Sequence, residues 1–308
     1  MTRPDNDRPG SGLPYALGAA LFWGVMPIFF KQLTSVPPLE VVAHRIIWSV
    51  VLLLGILLIR KRVGALAVAL SSRVTLVPML ATSALIAINW LVYIWAVVND
   101  HVVAASLGYF LSPLLSVVLG FAVLKERLSR AQGFAVALAA IGVAVLAFDA
   151  LDTLWISLAL ACSWGVYGLV KKMTPVGPMV GLASETIILL APSLLYLAWL
   201  TSVAGQGSFG ETTRIDVFLL AGAVMTAIPL WLFATAAQRL PLAALGLIQY
   251  IAPTMQFLIG VFLYKEALTT AHLVSFALIW TGLAVYSWDA WRASRARLLT
   301  ERAALGEA

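Results

Sequence analysis

Residues 104–128 read AASLGYFLSPLLSVVLGFAVLKERL, and residues 244–268 read ALGLIQYIAPTMQFLIGVFLYKEAL. Each is a long apolar run broken by a proline, then a glycine, and closed by a Lys-Glu pair. Laid over each other at a shift of 140, residues 104–145 match 13 of 42 positions in the second half. The matches include Pro113 with Pro253, Gly120 with Gly260, Lys125-Glu126 with Lys265-Glu266 and Gly142 with Gly282. Apolar composition yields chance matches among Leu, Ala and Val, but not paired Pro, Gly and Lys-Glu. A shift of 141 extends the similarity to the start of each half. There Trp23-Gly24-Val25 meets Trp164-Gly165-Val166, Lys31 meets Lys172, and His44 meets Glu185.

The runs around these segments are long enough to cross a bilayer. The chain has 308 residues, 62% hydrophobic and 11% charged. Soluble domains sit near 45–50% apolar and about 25% charged. A membrane-spanning helix needs about 20 apolar residues. A soluble enzyme, a disordered chain and an outer-membrane barrel with alternating polarity are therefore excluded. Ten runs stand between polar breaks: 13–30, 41–59, 74–97, 102–124, 131–147, 153–170, 178–200, 216–237, 242–263 and 271–288. The expected fold is an all-α integral membrane protein of ten transmembrane helices in two five-helix repeats.

Five is odd, so the second repeat enters the membrane from the opposite side. The two are then inverted, related by a pseudo-two-fold axis in the membrane plane, as in many secondary transporters. The expected organisation is a cytoplasmic N-terminal tail (1–12), a first repeat (13–148), a second repeat (152–288) and a basic cytoplasmic tail (289–308). With both termini inside, 16 of the 20 Lys and Arg residues fall on the cytoplasmic side. Lys31, Arg214 and Lys265 fall outside, and Arg45 lies within a run. That imbalance is the positive-inside signal, so the net charge of +6 reads as topology rather than as a nucleic-acid surface. The polar stretch 1–14 is not expected to be a removable signal peptide.

Several weaker signals are set aside. Cys162 is the lone cysteine, and His44, His101 and His272 are scattered, so no metal site is expected. Gly205-x-Gly207-x-x-Gly210 matches a dinucleotide pattern but lies in the longest loop, about 201–215, without the flanking strand that chemistry requires. No phosphate-binding lysine loop and no H-E-x-x-H is present, and no cofactor is expected.

A set of short motifs then points to a family. Phe22-Trp23-Gly24, His44-Arg45-Ile46-Ile47-Trp48-Ser49, Asn89-Trp90-Leu91 and Ala105-Ser106-Leu107-Gly108-Tyr109-Phe110 are among them. Tyr167-Gly168-Leu169, Glu185-Thr186 and Gln249-Tyr250-Ile251-Ala252-Pro253 complete the set. Together they resemble RarD-type members of the EamA family, in the drug/metabolite transporter superfamily. The resemblance runs from about residue 13 to 290. It implies a ten-helix permease of the bacterial inner membrane built from two EamA repeats.

The candidate site rests on polar groups where a bilayer disfavours them. A charge at the centre of a span costs about 2.5–3.5 kcal/mol, which points His44, Arg45 and Glu185 toward a substrate pathway. Glu40, His44 and Trp48 share one helical face with Arg45 alongside. Arg45 can hold a carboxylate with two parallel hydrogen bonds, and His44 or Glu185 can carry a coupling proton. Arg45 lies about 6–7 Å deep from outside and Glu185 about 10 Å from inside, at 1.5 Å per residue. Across a core of about 30 Å they are roughly 13 Å apart in depth, so they are expected to mark opposite ends of a cavity without pairing.

Asn89, Trp90 and Tyr93 in the third run add to the pathway. So do Ser106, Tyr109, Gln249 and Tyr250 near the paired prolines. The expected partners are a small-molecule substrate and the lipid bilayer, with monomer and homodimer both open. The expected activity is secondary transport of an amino acid-like or amphipathic solute. The alternatives are an intramembrane enzyme using His44 and Glu185, or a passive channel.

Overall fold

The structure is a computed structural model that describes residues 12–125, 129–149, 151–237 and 248–304. Among these residues every regular element is a helix. In chain order they are α1 (Leu13–Gly24), α2 (Met26–Phe30), a 3-10 turn (Lys31–Leu33), α3 (Pro38–Ile59), α4 (Val63–Ser71) and α5 (Arg73–Val98). Then come α6 (Val102–Leu124), α7 (Arg130–Asp149), α8 (Leu151–Met173), α9 (Pro178–Ser202) and α10 (Thr213–Ala237). Last are α11 (Ile251–Leu258), a π-helical turn (Ile259–Leu263) and α12 (Thr270–Ala304).

Seven helical segments are long and apolar enough to cross a membrane: Leu13–Leu33, Pro38–Ile59, Arg73–Val98, Leu151–Lys171, Met179–Ser202, Thr213–Phe233 and Thr270–Asp289. Shorter apolar helices, Val102–Ser112, Arg130–Leu146 and Ile251–Leu263, fall in the other three apolar runs. Glu126 and residues 242–247 of the ninth run lie outside the described residues.

Polarity is inverted relative to a water-soluble protein. Phe148 is 92% exposed, and Val51, Val77, Leu195 and Leu273 also face outward. Arg45, Asn89, Glu185, Thr226 and Gln256 are buried. An apolar exterior of this extent suits lipid, where the hydrocarbon is as apolar as the side chains.

Three features depart from the simple reading of the runs. The first run breaks at Val25, because Pro27 has no N–H to give to the Trp23 carbonyl four residues back. Gln256 Nε2 donates to that carbonyl instead, at 2.9 Å. Residues 63–71, too short to span, form α4 rather than a loop, and α4 buries Leu66 and Ala69 against α9. The basic tail continues α12 as helix to Ala304.

Two pairs of close helix crossings correspond across the two halves. A Cβ on Gly24 would meet Met255 at 2.7 Å, and one on Gly165 would meet Leu115 at 3.0 Å. Gly24 and Gly165 are counterparts at the 141 shift, and Leu115 and Met255 at the 140 shift. Likewise a Cβ on Gly142 would meet the Ser275 carbonyl at 3.2 Å, and one on Gly282 the Ala135 carbonyl at 2.9 Å. Residues 142 and 282, and 135 and 275, are again 140 apart. Lys125 and Lys265, also counterparts, both adopt left-handed φ values of 55° and 56°.

Candidate functional site

α3 begins at Pro38, where the fixed φ of proline suits a first helical turn. Arg45 sits two turns in and is 5% exposed. Its Nε donates to Thr226 Oγ1 of α10 at 2.6 Å. Thr226 Oγ1 in turn donates to the Gly222 carbonyl at 2.9 Å. The guanidinium lies 4.1 Å from the Trp90 ring centroid and 5.7 Å from that of Phe30, so its flat face is held by aromatic rings.

From this point a row of aromatic rings runs through the bundle. Phe30 meets Tyr93 edge-on at 6.0 Å, Tyr93 meets Tyr109 at 5.7 Å, and Tyr109 meets Trp164 edge-on at 6.4 Å. Trp164 stacks on Tyr167 at 5.6 Å. The row is braced by Asn89, whose Oδ1 accepts from Tyr109 Oη at 3.1 Å and whose Nδ2 donates to Ser163 Oγ at 2.9 Å. Tyr93 Oη is buried without a hydrogen-bond partner.

The row ends at Glu185 on α9, which is fully buried. Lys171 Nζ donates to Glu185 Oε1 at 2.9 Å, and Tyr167 Oη donates to Oε2 at 3.1 Å. Lys171 reaches in from the last turn of α8, with its stem along Tyr167. Arg45 and Glu185 therefore do not pair. Each has its own neighbours, with the aromatic row between them.

The structure places His44 and Trp48 elsewhere. His44 lies about 100° and Trp48 about 60° around α3 from Arg45 at 3.6 residues per turn, and both face the loop at 203–212. His44 stacks on Phe209 at 5.0 Å, and Trp48 lies 6.3 Å from the same ring. Glu40 accepts from the Ser208 backbone N–H at 2.7 Å and from Ser208 Oγ at 3.0 Å. His44 Nε2 is 4.0 Å from Glu40 Oε1. Ser106 Oγ donates to the Val103 carbonyl one turn back, within its own helix. Tyr250 stacks on Phe110 at 6.4 Å, in a separate apolar cluster with Phe257 and Phe276. Gln249 is half-buried at the start of that region. Asn89, Trp90, Tyr93 and Tyr109 are thus brought together beside Arg45, whereas His44, Trp48, Ser106, Gln249 and Tyr250 are not.

Thr226, Ser163, Gln256 and Lys171 were missed by sequence reasoning. In the sequence Lys171 is one of two lysines at the end of an apolar run, where a basic residue is expected to serve topology. Thr226 is one of two hydroxyls in its apolar run, a pattern that helices also use to bond their own carbonyls.

Polar contacts link the helices at the end of the bundle carrying Lys31, Asp100 and Glu266. Lys31 Nζ and Asp100 Oδ1 pair at 2.5 Å. Glu266 accepts from the Val102 and Val103 N–H groups at 2.7 and 2.8 Å. Tyr264 Oη donates to the Pro27 carbonyl at 3.3 Å, and Arg214 donates to Gln32. Burial pushes the Glu266 carboxyl up from its ordinary range, although both backbone N–H groups pull it down.

A helical bundle with an apolar exterior and a buried polar row defines a multi-pass membrane protein. The sequence profile of the EamA-like transporter family matches residues 10–148. Protein RarD of Streptomyces exfoliatus is 42% identical over 94% of this chain and 92% of its own length. An uncharacterized transporter of Vibrio cholerae is 38% identical over 95% of this chain and 97% of its own. Protein RarD of Escherichia coli is 36% identical over 93% and 97%. A solved crystal structure shares the fold, with a TM-score of 0.62 at 20% identity, covering 91% of this chain and 98% of that one. The chain belongs to the EamA family, among its RarD-type members, within the drug/metabolite transporter superfamily. It is a multi-pass bacterial membrane protein and a transporter of that type, working on a small-molecule substrate in a lipid bilayer.

Proposed function

We propose that the chain is a secondary-active transporter that moves a small organic solute by alternating access between two inverted five-helix repeats, residues 13–148 and 152–288. Ten spans with both termini cytoplasmic place Lys31, Asp100 and Glu266 at the external end. Their contacts with neighbouring helices then act as the external gate of the carrier. The reciprocal crossings of Gly24 with Met255 and Gly165 with Leu115 support two similarly built halves. The observation that carries the reading is the buried row from Arg45 to Glu185. It draws on α2, α3, α5 and α6 of one half and α8, α9 and α10 of the other, the interface where such transporters bind solute.

Glu185, held by Lys171 and Tyr167, is the group we assign to proton coupling. His44 stacks under the external loop and does not face Glu185, so the two do not make the acid–base pair that an intramembrane enzyme would need. Counterflow in proteoliposomes tests the proposal: preloaded unlabelled solute accelerates uptake of labelled solute only by a carrier. Unsaturable flux without counterflow would instead establish a channel.

A further inference from the structure

We infer that the solute is an anion held through its carboxylate at Arg45. The inference rests on the transporter reading above and adds the chemical class. A guanidinium has five N–H donors, and among the described residues only Nε has an acceptor, Thr226. No carboxylate lies within ion-pair distance of Arg45 among the described residues. The two buried acids are engaged elsewhere, Glu40 by Ser208 and Glu185 by Lys171. A buried cation without a counter-charge is costly, and proteins retain one where a ligand supplies the charge.

The geometry suits a carboxylate. Thr226 fixes the Nε edge and Trp90 covers one face, so the edge carrying the two terminal nitrogens is left free. That edge offers two parallel donors at carboxylate spacing. Tyr93 Oη, buried and without a partner beside it, supplies a further donor. The rings of Phe30 and Trp90 around the guanidinium favour an acid whose remainder is apolar, so the class is a monocarboxylate with an apolar body.

The test uses purified full-length protein in nanodiscs. Phenylacetate and hexanoate are compared with phenylacetamide and hexanamide, and with benzyl phosphate, by thermal shift and by quenching of tryptophan fluorescence. The carboxylates are expected to bind about ten- to a hundredfold more tightly than their amides, the range for hydrogen bonds to a charged group. Arg45→Gln is expected to bind acids and amides alike. Tyr93→Phe, which keeps the ring and the packing, is expected to weaken the acids more than the amides, because a hydrogen bond to a charged acceptor is the stronger one.

Equal binding of acids and amides, no response to any acid, or tighter binding of benzyl phosphate would each overturn the inference. So would a retained acid preference in Arg45→Gln. If that variant does not fold, unchanged acid binding by Tyr93→Phe counts against the site. Counterflow of a neutral or cationic solute alongside such a failure would leave the transporter reading standing.

Discussion

Removing the Glu266 carboxylate should loosen the Lys31 end of the bundle by an amount that can be worked out in advance. Val102 and Val103 donate the first N–H groups of α6, which have no acceptor within their own helix. Both residues are buried, and both N–H groups end on Glu266 at 2.7 and 2.8 Å. Glu266→Ala leaves two buried donors unsatisfied, at about 1–3 kcal/mol each. Relief of the carboxylate's own desolvation offsets part of this, leaving a net loss of about 2 kcal/mol, or about thirtyfold in an opening equilibrium. Hydrogen exchange read at the Val102 and Val103 amides reports that equilibrium directly. The wild type should also show a pH step. The Glu266 pKa is raised by burial, so its contribution is complete below the ordinary carboxyl range and is lost as pH rises through the raised value. Protection, corrected for intrinsic exchange, should fall across that window in the wild type and stay flat in Glu266→Ala. Unchanged protection in the variant, or a pH step that survives it, would refute the reasoning.

Lys171→Met should strand the Glu185 charge at a cost of about 3–5 kcal/mol. The double variant with Glu185→Gln should recover most of it in thermal unfolding, and equal stability of single and double variants would count against the pairing. Gly282→Ala pushes a methyl group to 2.9 Å from the Ala135 carbonyl and should cost about 1–3 kcal/mol. Gly133→Ala, with nothing within 4 Å, should cost nothing by the same measurement. Glu185→Gln should keep counterflow and lose uptake driven by a pH gradient; retention of full pH dependence would remove Glu185 from proton coupling.

Helix positions were legible in the sequence because burial in lipid demands long apolar runs, and the breaks between runs are polar and short. α4 was not, because Val63–Ser71 is apolar yet too short to span, and only its packing on α9 shows its role. The separation of Arg45 from Glu185 was legible from depth alone, since 1.5 Å per residue sets how far each lies from its own membrane face. Partner choice was not. The face of α3 that turns to the loop at 203–212 depends on helix rotation, so His44 and Trp48 were grouped with Arg45 although the structure aims them elsewhere. The Glu40–Ser208 clasp joins residues 168 apart in sequence, with no local pattern to announce it.

The packing contacts and the polar groups obey different rules, and that difference bears on mechanism. Two pairs of glycine crossings follow the shift between halves: Gly24 and Gly165 meet counterpart residues, as do Gly142 and Gly282, while the Gly108–Ser157 crossing has Ile248 at its counterpart position. The polar row does not. At the same shifts Arg45 falls on Thr186, Asn89 on Leu230 and Tyr109 on Gln249. Two similarly built halves can exchange closed ends at comparable energy because their crossings are alike, which alternating access requires. A single solute, however, needs one set of donors, not two. A duplicated Arg45 would place a second uncompensated charge in the bundle at a cost no single carboxylate could offset. Symmetry in the crossings and asymmetry in the row are therefore what a carrier for one anionic group requires.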